Sequence, residues 1–309
     1  MINTRENTLA VIRHQPAKAV PVFDGGVWDT VMLGGHFRCA SWTDAWGVVW
    51  EQELPGMAPT DVGHPLSDLR RLDTYAWPDP WQLTWTDADR QGLAAIDRSR
   101  VLLGGLHTYL LAERLYSLMG MENFLLALYE DPDRLRVLID HIVDYTRVCF
   151  DRLIALGIET LHVSEDLGSQ HDLLLSPEMF RRFLLPAYER MFEAPRRHGV
   201  IIDFHSCGAV EKVIPDLMAV GIGILNPVQV RANDRRRVRK LTQGRVAVLG
   251  GIDSYVVHRG TPDDIRREVR AAFDLWKPGG GWMAAPDQVL TGAPPENVKV
   301  FWETCHELA

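Results

Sequence analysis

The sequence predicts an α/β protein built as a TIM-type (β/α)8 barrel with an irregular N-terminal elaboration. From about residue 158 onward, short β-branched or apolar runs alternate with longer amphipathic helical patterns, as in parallel strands joined by helices. Polar side chains follow these runs at their C-terminal ends. The segment of about residues 28–95 fits the alternation least, and it contains seven of the ten tryptophans.

Seven runs are predicted strands, and they cover residues 20–23, 100–103, 157–163, 200–204, 222–225, 246–249 and 281–284. Helices are expected between them, because strings such as Ser176-Pro177-Glu178 and Thr261-Pro262-Asp263 combine an N-cap residue with a proline in the first turn. The eighth strand of a barrel is not identified. A doubly wound open sheet is the alternative, and we prefer the barrel because its strand ends converge on one mouth.

The length of 309 residues allows one large domain or two. No repeat, linker or low-complexity segment divides the chain, so we expect one domain over residues 1–309, with the elaboration at about 28–95. The net charge of −8 argues against nucleic-acid binding, which depends on lysine and arginine contacts with phosphate. No apolar run reaches the roughly 18 residues of a membrane span, and no secretory segment follows Met1, so a cytoplasmic location is expected.

Several groups of residues allow more than one interpretation. Tryptophans 28, 42, 46, 50, 77, 81 and 85 can pack an irregular subdomain, or some of them can line a pocket for a flat or apolar substrate. The second interpretation makes Trp28 and Trp46 candidate substrate-binding residues. The basic stretch 231–240 is read as the solvated face of one helix. Four cysteines, at 39, 149, 207 and 305, are too sparse for a disulfide framework.

The string Asp203-Phe204-His205-Ser206-Cys207-Gly208 carries the strongest indication of chemistry. Residues two apart on a strand point to the same side, so the side chains of His205 and Cys207 can reach one point. An imidazole beside a thiolate suits zinc better than magnesium or calcium. Two ligands alone do not make a site, because such a pair also arises by chance.

Carboxylates at other strand ends can complete the site. Glu165 and Asp166 follow one predicted strand, and Asp287 follows the last one. In a barrel they would share the mouth with His205 and Cys207, which makes Glu165 and Asp287 candidate metal ligands and Glu165 and Asp166 candidate catalytic residues. Each carboxylate also has a structural alternative, namely a cap on backbone amides or a salt bridge with an arginine.

Further polar residues follow two other predicted strands. Asp24 comes directly after the run 20–23 and is a third candidate catalytic residue. Asn226 and Gln229 follow the run 222–225, where contact with a substrate is expected.

Six ordered strings between about residues 120 and 305 resemble the uroporphyrinogen decarboxylase superfamily. They are His205-Ser206-Cys207-Gly208, Ile214-Pro215-Asp216-Leu217 with Gly221, Ile224-Leu225-Asn226-Pro227-Val228-Gln229, Gly250-Gly251-Ile252-Asp253, Gly260-Thr261-Pro262 and Pro294-Pro295-Glu296-Asn297. The resemblance implies a (β/α)8 barrel, in agreement with the strand pattern, and it allows a homodimer.

The superfamily contains two activities, and the fold alone does not choose between them. True decarboxylases carry an N-terminal arginine signature, which is not found after Asp24. The methyltransferase branch uses a zinc site made of the His-x-Cys string and a later cysteine, and it acts with corrinoid proteins. By this resemblance the later cysteine falls at Asp287, and a carboxylate there would harden the site and favour polarisation of an ether or carbonyl oxygen.

The resemblance therefore implies zinc held by His205, Cys207 and either Glu165 or Asp287, with one position open to substrate. The expected function is methyl transfer between a small thiol or methoxy compound and a corrinoid carried by a partner protein. One alternative is a decarboxylase or related lyase acting on an aromatic or pyrrolic acid, with Asp24 or Asp166 stabilising a cationic intermediate. Another is a non-catalytic tetrapyrrole-binding protein.

Overall fold

A computed structural model describes residues 3–25, 27–33, 41–52, 59–84, 91, 93–106 and 109–309 of the protein. Its strands are Trp28–Leu33 (β1), Trp42–Thr43 (β2), Val49–Glu51 (β3), Thr60–Gly63 (β4), Val101–Leu106 (β5), Thr160–Glu165 (β6), Ile201–Ser206 (β7), Ile224–Asn226 (β8), Ala247–Leu249 (β9) and Trp282–Met283 (β10). Seven of them form one sheet in the order β1-β5-β6-β7-β8-β9-β10, and every pair in it is parallel.

Hydrogen bonds on either side of Ala284 bring the two edges of this sheet together. Val22 forms a parallel bridge with Ala284, which directly follows β10. The Phe23 amide donates to the Ala284 carbonyl, and the Ala284 amide donates to the Pro21 carbonyl, each at 2.8 Å. The segment that leads into β1 therefore pairs with the opposite edge, and the sheet curls into a barrel. The predicted fold class is confirmed.

The N-terminal strands differ from the prediction. The run 20–23 contributes only the bridge at Val22, whereas β1 lies inside the segment expected to be irregular. The sequence of β1, Trp-Asp-Thr-Val-Met-Leu, lacks a continuous apolar run, and only two of its six residues are buried. Its partner β5 is buried along its whole length, as a strand covered on both faces must be.

The rest of the elaboration packs beside the barrel. Strands β2, β3 and β4 form a small antiparallel sheet, and a 3₁₀ helix follows at Leu69–Thr74. Arg114 is 2% exposed and pairs with Asp44, which also accepts the indole N–H of Trp50 at 3.1 Å. A buried charge pair of this kind fixes the elaboration against the helix that carries Arg114.

Helices of the described residues cover the outside of the sheet. They are Arg5–Ile12 (α1), Ala112–Met119 (α2), Met121–Glu130 (α3), Pro132–Ile154 (α4), Pro177–Met179 (α5), Leu185–Arg197 (α6), Ile214–Ala219 (α7), Arg235–Thr242 (α8), Ser254–Arg259 (α9), Pro262–Trp276 (α10) and Pro295–Leu308 (α11), and a π-helical turn at Phe180–Leu184 joins α5 to α6. Within these described segments, none is both long and apolar enough to cross a membrane.

Two residues of these helices, Cys149 and Arg239, are buried. Cys149 is fully buried in α4, as a small core residue should be. Residues 235–240 of the basic stretch form most of α8, and Asp234 caps this helix. Arg239, however, is only 5% exposed. Its guanidinium donates to the carbonyls of Pro278 and Gly280, so the interpretation as a solvated face is wrong for Arg239.

Candidate metal site at the barrel mouth

Three potential metal ligands meet where β6 and β7 end. Asp166 directly follows β6, His205 lies in β7, and Cys207 follows β7. One ligand atom from each residue lies within 4.8 Å of the other two, and we call these three residues the donor cluster. His205 Nε2 is 3.5 Å from Cys207 Sγ, and the Cys207 amide donates to Asp166 Oδ1 at 3.1 Å.

Strand register explains why these three side chains converge. Ser164 pairs with His205 and Glu165 pairs with Ser206 across β6 and β7. Paired residues of parallel strands point to the same face, and the direction alternates along each strand. Asp166 therefore shares the inner face with His205 and Cys207, whereas Glu165 points to the outer face.

The donor set suits a zinc ion. Zinc accepts nitrogen, thiolate sulfur and carboxylate oxygen, usually with tetrahedral geometry. With Zn–N and Zn–S bonds of about 2.1 and 2.3 Å, tetrahedral geometry separates the nitrogen and sulfur by about 3.6 Å, close to the observed 3.5 Å between His205 Nε2 and Cys207 Sγ. Asp166, His205 and Cys207 would fill three positions and leave a fourth for substrate.

A hydrogen-bond chain orients His205. Asn226 donates to the buried Asp203 at 3.3 Å, and its side chain also bonds His205. Asp203 Oδ2 in turn lies 2.7 Å from His162 Nδ1. Burial lowers the pKa of His205, and the neighbouring His162 adds to this effect. His205 is therefore kept neutral, which is the form that binds a metal, and its ring is held by the kind of outer partners that metal-binding histidines use.

Cys207 lies in surroundings that disfavour a free thiolate. Burial raises its pKa to about 12, and the Asp166 carboxylate contributes to the shift. Gln288 Nε2 donates to Cys207 Sγ at 3.4 Å and opposes the shift. Without a cation the thiol keeps its proton at neutral pH, whereas a bound metal would stabilise the thiolate. Gln288 was missed from the sequence, although it directly follows Asp287.

Glu165, a candidate metal ligand and catalytic residue, is not part of the donor cluster. It is 0% exposed, and its carboxylate accepts the amides of Leu111, Ala112 and Glu113 at 2.8 to 3.2 Å and the Tyr188 hydroxyl at 2.7 Å. Burial raises its pKa to about 7, against the effect of these hydrogen bonds. Glu165 thus caps the start of α2, which is the structural alternative, and it is outside the donor cluster.

Asp287 is likewise held by the backbone. Its Oδ1 accepts the amide and hydroxyl of Ser254 at 2.9 and 2.6 Å, and its Oδ2 accepts the Val230 amide at 2.8 Å. It is 4% exposed, and burial raises its pKa. Asp287 joins the loops after β8, β9 and β10 and is also outside the donor cluster.

Two further predicted site residues, Asp24 and Trp46, lie outside the donor cluster. Asp24 contacts His306, near the end of α11, at 2.8 Å and Asn3 at 3.3 Å, and these two partners are also outside the donor cluster. Trp46 is buried against Tyr145 and Arg114, as the packing interpretation expects. Trp85 and Cys39 lie outside the described residues.

The other three predicted substrate-binding residues are Asn226, Gln229 and Trp28. Asn226 lines the cavity described next. Gln229 accepts the Gly208 amide at 2.8 Å and the Gln170 side chain at 3.1 Å, so it orders the loop after Cys207. Trp28 packs edge to face on Phe23, within the apolar interior of the barrel.

Gly168 and Gly208 allow the loops after β6 and β7 to approach each other. A Cβ on Gly208 would lie 2.0 Å from the Gly168 carbonyl oxygen, and Gly208 has φ +80°. Only glycine fits such a contact with this backbone conformation. The close approach keeps Cys207 near Asp166.

A cavity of about 350 Å³ opens beside the donor cluster. His205, Asn226 and Gln288 are polar residues of its wall, and Phe23 and Trp302 are aromatic ones. Its volume is within the range of small-molecule pockets, about 300 to 1,000 Å³.

Glu113, in the first turn of α2, is a further acidic residue near the donor cluster. It is 7% exposed, and burial together with the carboxylates of Asp166 and Glu165 raises its pKa to about 10. Glu113 is therefore protonated at neutral pH. Its sequence position is that of an ordinary acid in the first turn of a helix, so no local pattern indicates a role for it.

Comparisons with known proteins give the family of this fold and site. The family model for uroporphyrinogen decarboxylase (URO-D) matches residues 109–308. A methylated-thiol--coenzyme M methyltransferase of Methanosarcina mazei is 25% identical over 253 residues, or 75% of this chain and 64% of that protein. A uroporphyrinogen decarboxylase of Alkalilimnicola ehrlichii is 26% identical over 270 residues, or 83% of this chain and 71% of that protein.

The solved structure of a methyltransferase from Methanosarcina mazei matches this chain with a TM-score of 0.71 at 15% identity, over 98% of both chains, and this likeness supports the fold alone. This chain spans slightly less than two thirds of the methyltransferase found by sequence. The family match covers more than half of the chain and includes the entire donor cluster, and on that basis this protein belongs to the uroporphyrinogen decarboxylase family.

Proposed function

We propose that this protein is a zinc-dependent methyltransferase that moves a methyl group between a small thiol or methoxy compound and a corrinoid protein. The observation that carries the proposal is the donor cluster of Asp166, His205 and Cys207 at the barrel mouth. The sequence relationship to a methylated-thiol--coenzyme M methyltransferase supports the reaction class.

Asp166 takes the ligand position for which Glu165 and Asp287 were the candidates. All the oxygens of those two carboxylates accept hydrogen bonds from the chain itself. Asp166 has the right position, because its carboxylate accepts the Cys207 amide and also bonds the Cys207 side chain.

A bound zinc ion would supply Lewis acidity to the sulfur or oxygen atom from which or to which the methyl group moves. The chain's own residues hold that centre in place. Asn226 and Asp203 fix the ring of His205, and Gln288 supports the sulfur of Cys207. Outer contacts of this kind change metal affinity or activity by about 10- to 100-fold when they are removed.

Electrons balance in either direction of transfer. With a thiol acceptor, an S–C bond would form as the methyl group leaves the partner's corrinoid, which would keep the electron pair of the broken bond, and the thiol would release its proton. With a methoxy donor, the O–CH₃ bond would break, the partner's reduced corrinoid would supply the electron pair that binds the methyl group, and the oxygen would take up a proton. Both directions require the corrinoid protein to reach the barrel mouth.

Elemental analysis of the purified chain tests the metal site. We expect about one zinc per chain, and we expect Cys207→Ala, His205→Ala and Asp166→Asn to reduce the content strongly. Cys149→Ala is the matched control, because Cys149 is a buried thiol in α4 and does not belong to the donor cluster. Zinc content that does not change in the cluster variants would refute the site.

The loss of methylcobalamin absorbance in the presence of small thiols tests the reaction, and the reverse assay uses reduced cobalamin with methoxy compounds. Zinc-loaded protein should accelerate one of these changes, and Cys207→Ala should not. The relationship to a uroporphyrinogen decarboxylase makes decarboxylation the second candidate. Release of CO₂ from uroporphyrinogen by the metal-free chain would favour that candidate over methyl transfer.

A further inference from the structure

The donor cluster alone does not indicate the size or charge of the substrate. The residues that line the cavity of about 350 Å³ beside His205 do. The cavity is formed where β7, β8, β9 and β10 end, and residues of α11 close one side. Gln288 belongs to its wall and also bonds the Cys207 sulfur. A molecule in this cavity therefore has one end next to the donor cluster.

The described wall of the cavity offers no cationic side chain to a ligand. Among the described residues that line the cavity there is no lysine or arginine. Its carboxylate, that of Asp287, is saturated by Ser254 and Val230 and would repel an anion. At the end of the cavity away from the donor cluster, an anionic group would lose its hydration without a compensating cation, which is costly.

The rest of the wall is apolar and partly aromatic. Phe23 and Trp302 contribute rings, and Leu249, Leu290 and Val298 contribute aliphatic surface. The ring of Trp302 is held edge to face by Phe301, with centroids 4.7 Å apart. Asn226 and Gln288 are neutral polar groups of the wall, and both also bond residues of the donor cluster. The volume is near the lower limit of small-molecule pockets, which fits one ring and not a tetrapyrrole.

We propose that this cavity selects an uncharged, single-ring aromatic methyl ether or thioether, or its demethylated product, and discriminates against anionic analogues. This inference rests on the proposed methyl transfer for the identity of the reacting group. The ring lies between Phe23 and Trp302, and the methyl-bearing heteroatom is directed toward Gln288 and the donor cluster.

Binding of a matched pair of probes to the zinc-loaded full chain tests the inference. Methoxybenzene and 4-methoxybenzoate differ by one carboxylate, and their affinities can be compared by isothermal titration calorimetry. We expect methoxybenzene to bind at least about tenfold more tightly, because burial of an unpaired charge is unfavourable. Equal or tighter binding of the benzoate, or no binding of methoxybenzene, would overturn the inference.

Two variants locate the binding in this cavity. Trp302→Ala should weaken methoxybenzene binding by about tenfold, as loss of a buried aromatic contact does, whereas Trp81→Ala should not, because Trp81 is 67% exposed. Leu290→Lys should shift the preference toward the benzoate by about fivefold, the effect of a partly exposed ion pair. Val137→Lys adds the same charge on the exposed side of α4 and should leave the preference unchanged. An unaltered preference in Leu290→Lys contradicts the assignment.

These measurements do not depend on catalysis. If the neutral probe is preferred but no methyl transfer occurs with any acceptor, the proposed function fails and the ligand selectivity of the cavity stands. If methyl transfer occurs but anionic substrates are preferred, the function stands and this inference fails.

Discussion

Replacement of Glu165 by glutamine separates a structural role from a metal-binding role. Glu165 Oε1 accepts from Leu111, Ala112 and Tyr188, and Oε2 accepts from Glu113. A glutamine can keep its oxygen on the first three donors, but its NH₂ group then faces the Glu113 amide. The buried hydrogen bond from the Glu113 amide to a charged oxygen is then lost, and two N–H donors face each other.

The cost of such a loss is about 2 to 3 kcal/mol in the free energy of unfolding. Urea denaturation of the zinc-loaded chain at about pH 8.5 measures it, because Glu165, with a pKa of about 7, is then ionised in the native protein. Glu130→Gln, on the exposed end of α3, is the control and should change stability by less than about 0.5 kcal/mol.

Zinc content provides the second measurement for the same variant. We expect Glu165→Gln to retain its zinc, because Glu165 points away from the donor cluster. A variant that loses zinc and keeps its stability would refute this reasoning and restore Glu165 as a ligand.

Three further predictions concern the surroundings of the site and the base of the barrel. Gly208→Ala should destabilise the fold by about 2 kcal/mol or more, because its Cβ would collide with Gly168, whereas Gly199→Ala, with φ +70° and open space around it, should cost only about 1 kcal/mol; thermal unfolding compares the two. Asp203→Asn should weaken zinc binding by about 10- to 100-fold in a chelator competition, with the fold retained in circular dichroism; unchanged affinity would exclude an orienting role for Asp203. His14 has a pKa lowered by burial, and its ring nitrogens are buried with no hydrogen-bond partner among the described residues. Its folded pKa is below its unfolded pKa of about 6.5, so its share of stability is present above that pH and is lost as the pH falls. Denaturation between pH 5 and 8 should therefore show a smaller acid-induced loss in His14→Asn than in the parent, and parallel curves would contradict the prediction.

Local patterns predicted most of the fold. Strands β5 to β10 are predictable because each contains a short run of apolar or β-branched residues. Strand β1 was missed because Trp28–Leu33 has no clear apolar alternation and is half-covered by its neighbours. Its position depends on pairing with β5, which is about 70 residues away in the chain. Local residue patterns contain no information about that pairing.

The sequence by itself determined the barrel class and the convergence of His205 with Cys207. Both follow from short-range rules, namely the alternation of strands and helices and the two-residue period of a strand. Tertiary structure decided which carboxylate accompanies them. Glu165 and Asp166 are adjacent, so a shift of one residue in the register of β6 against β7 would exchange their faces. The pairing of Ser164 with His205 turns Asp166 inward, and the amides at the start of α2 hold Glu165 outside.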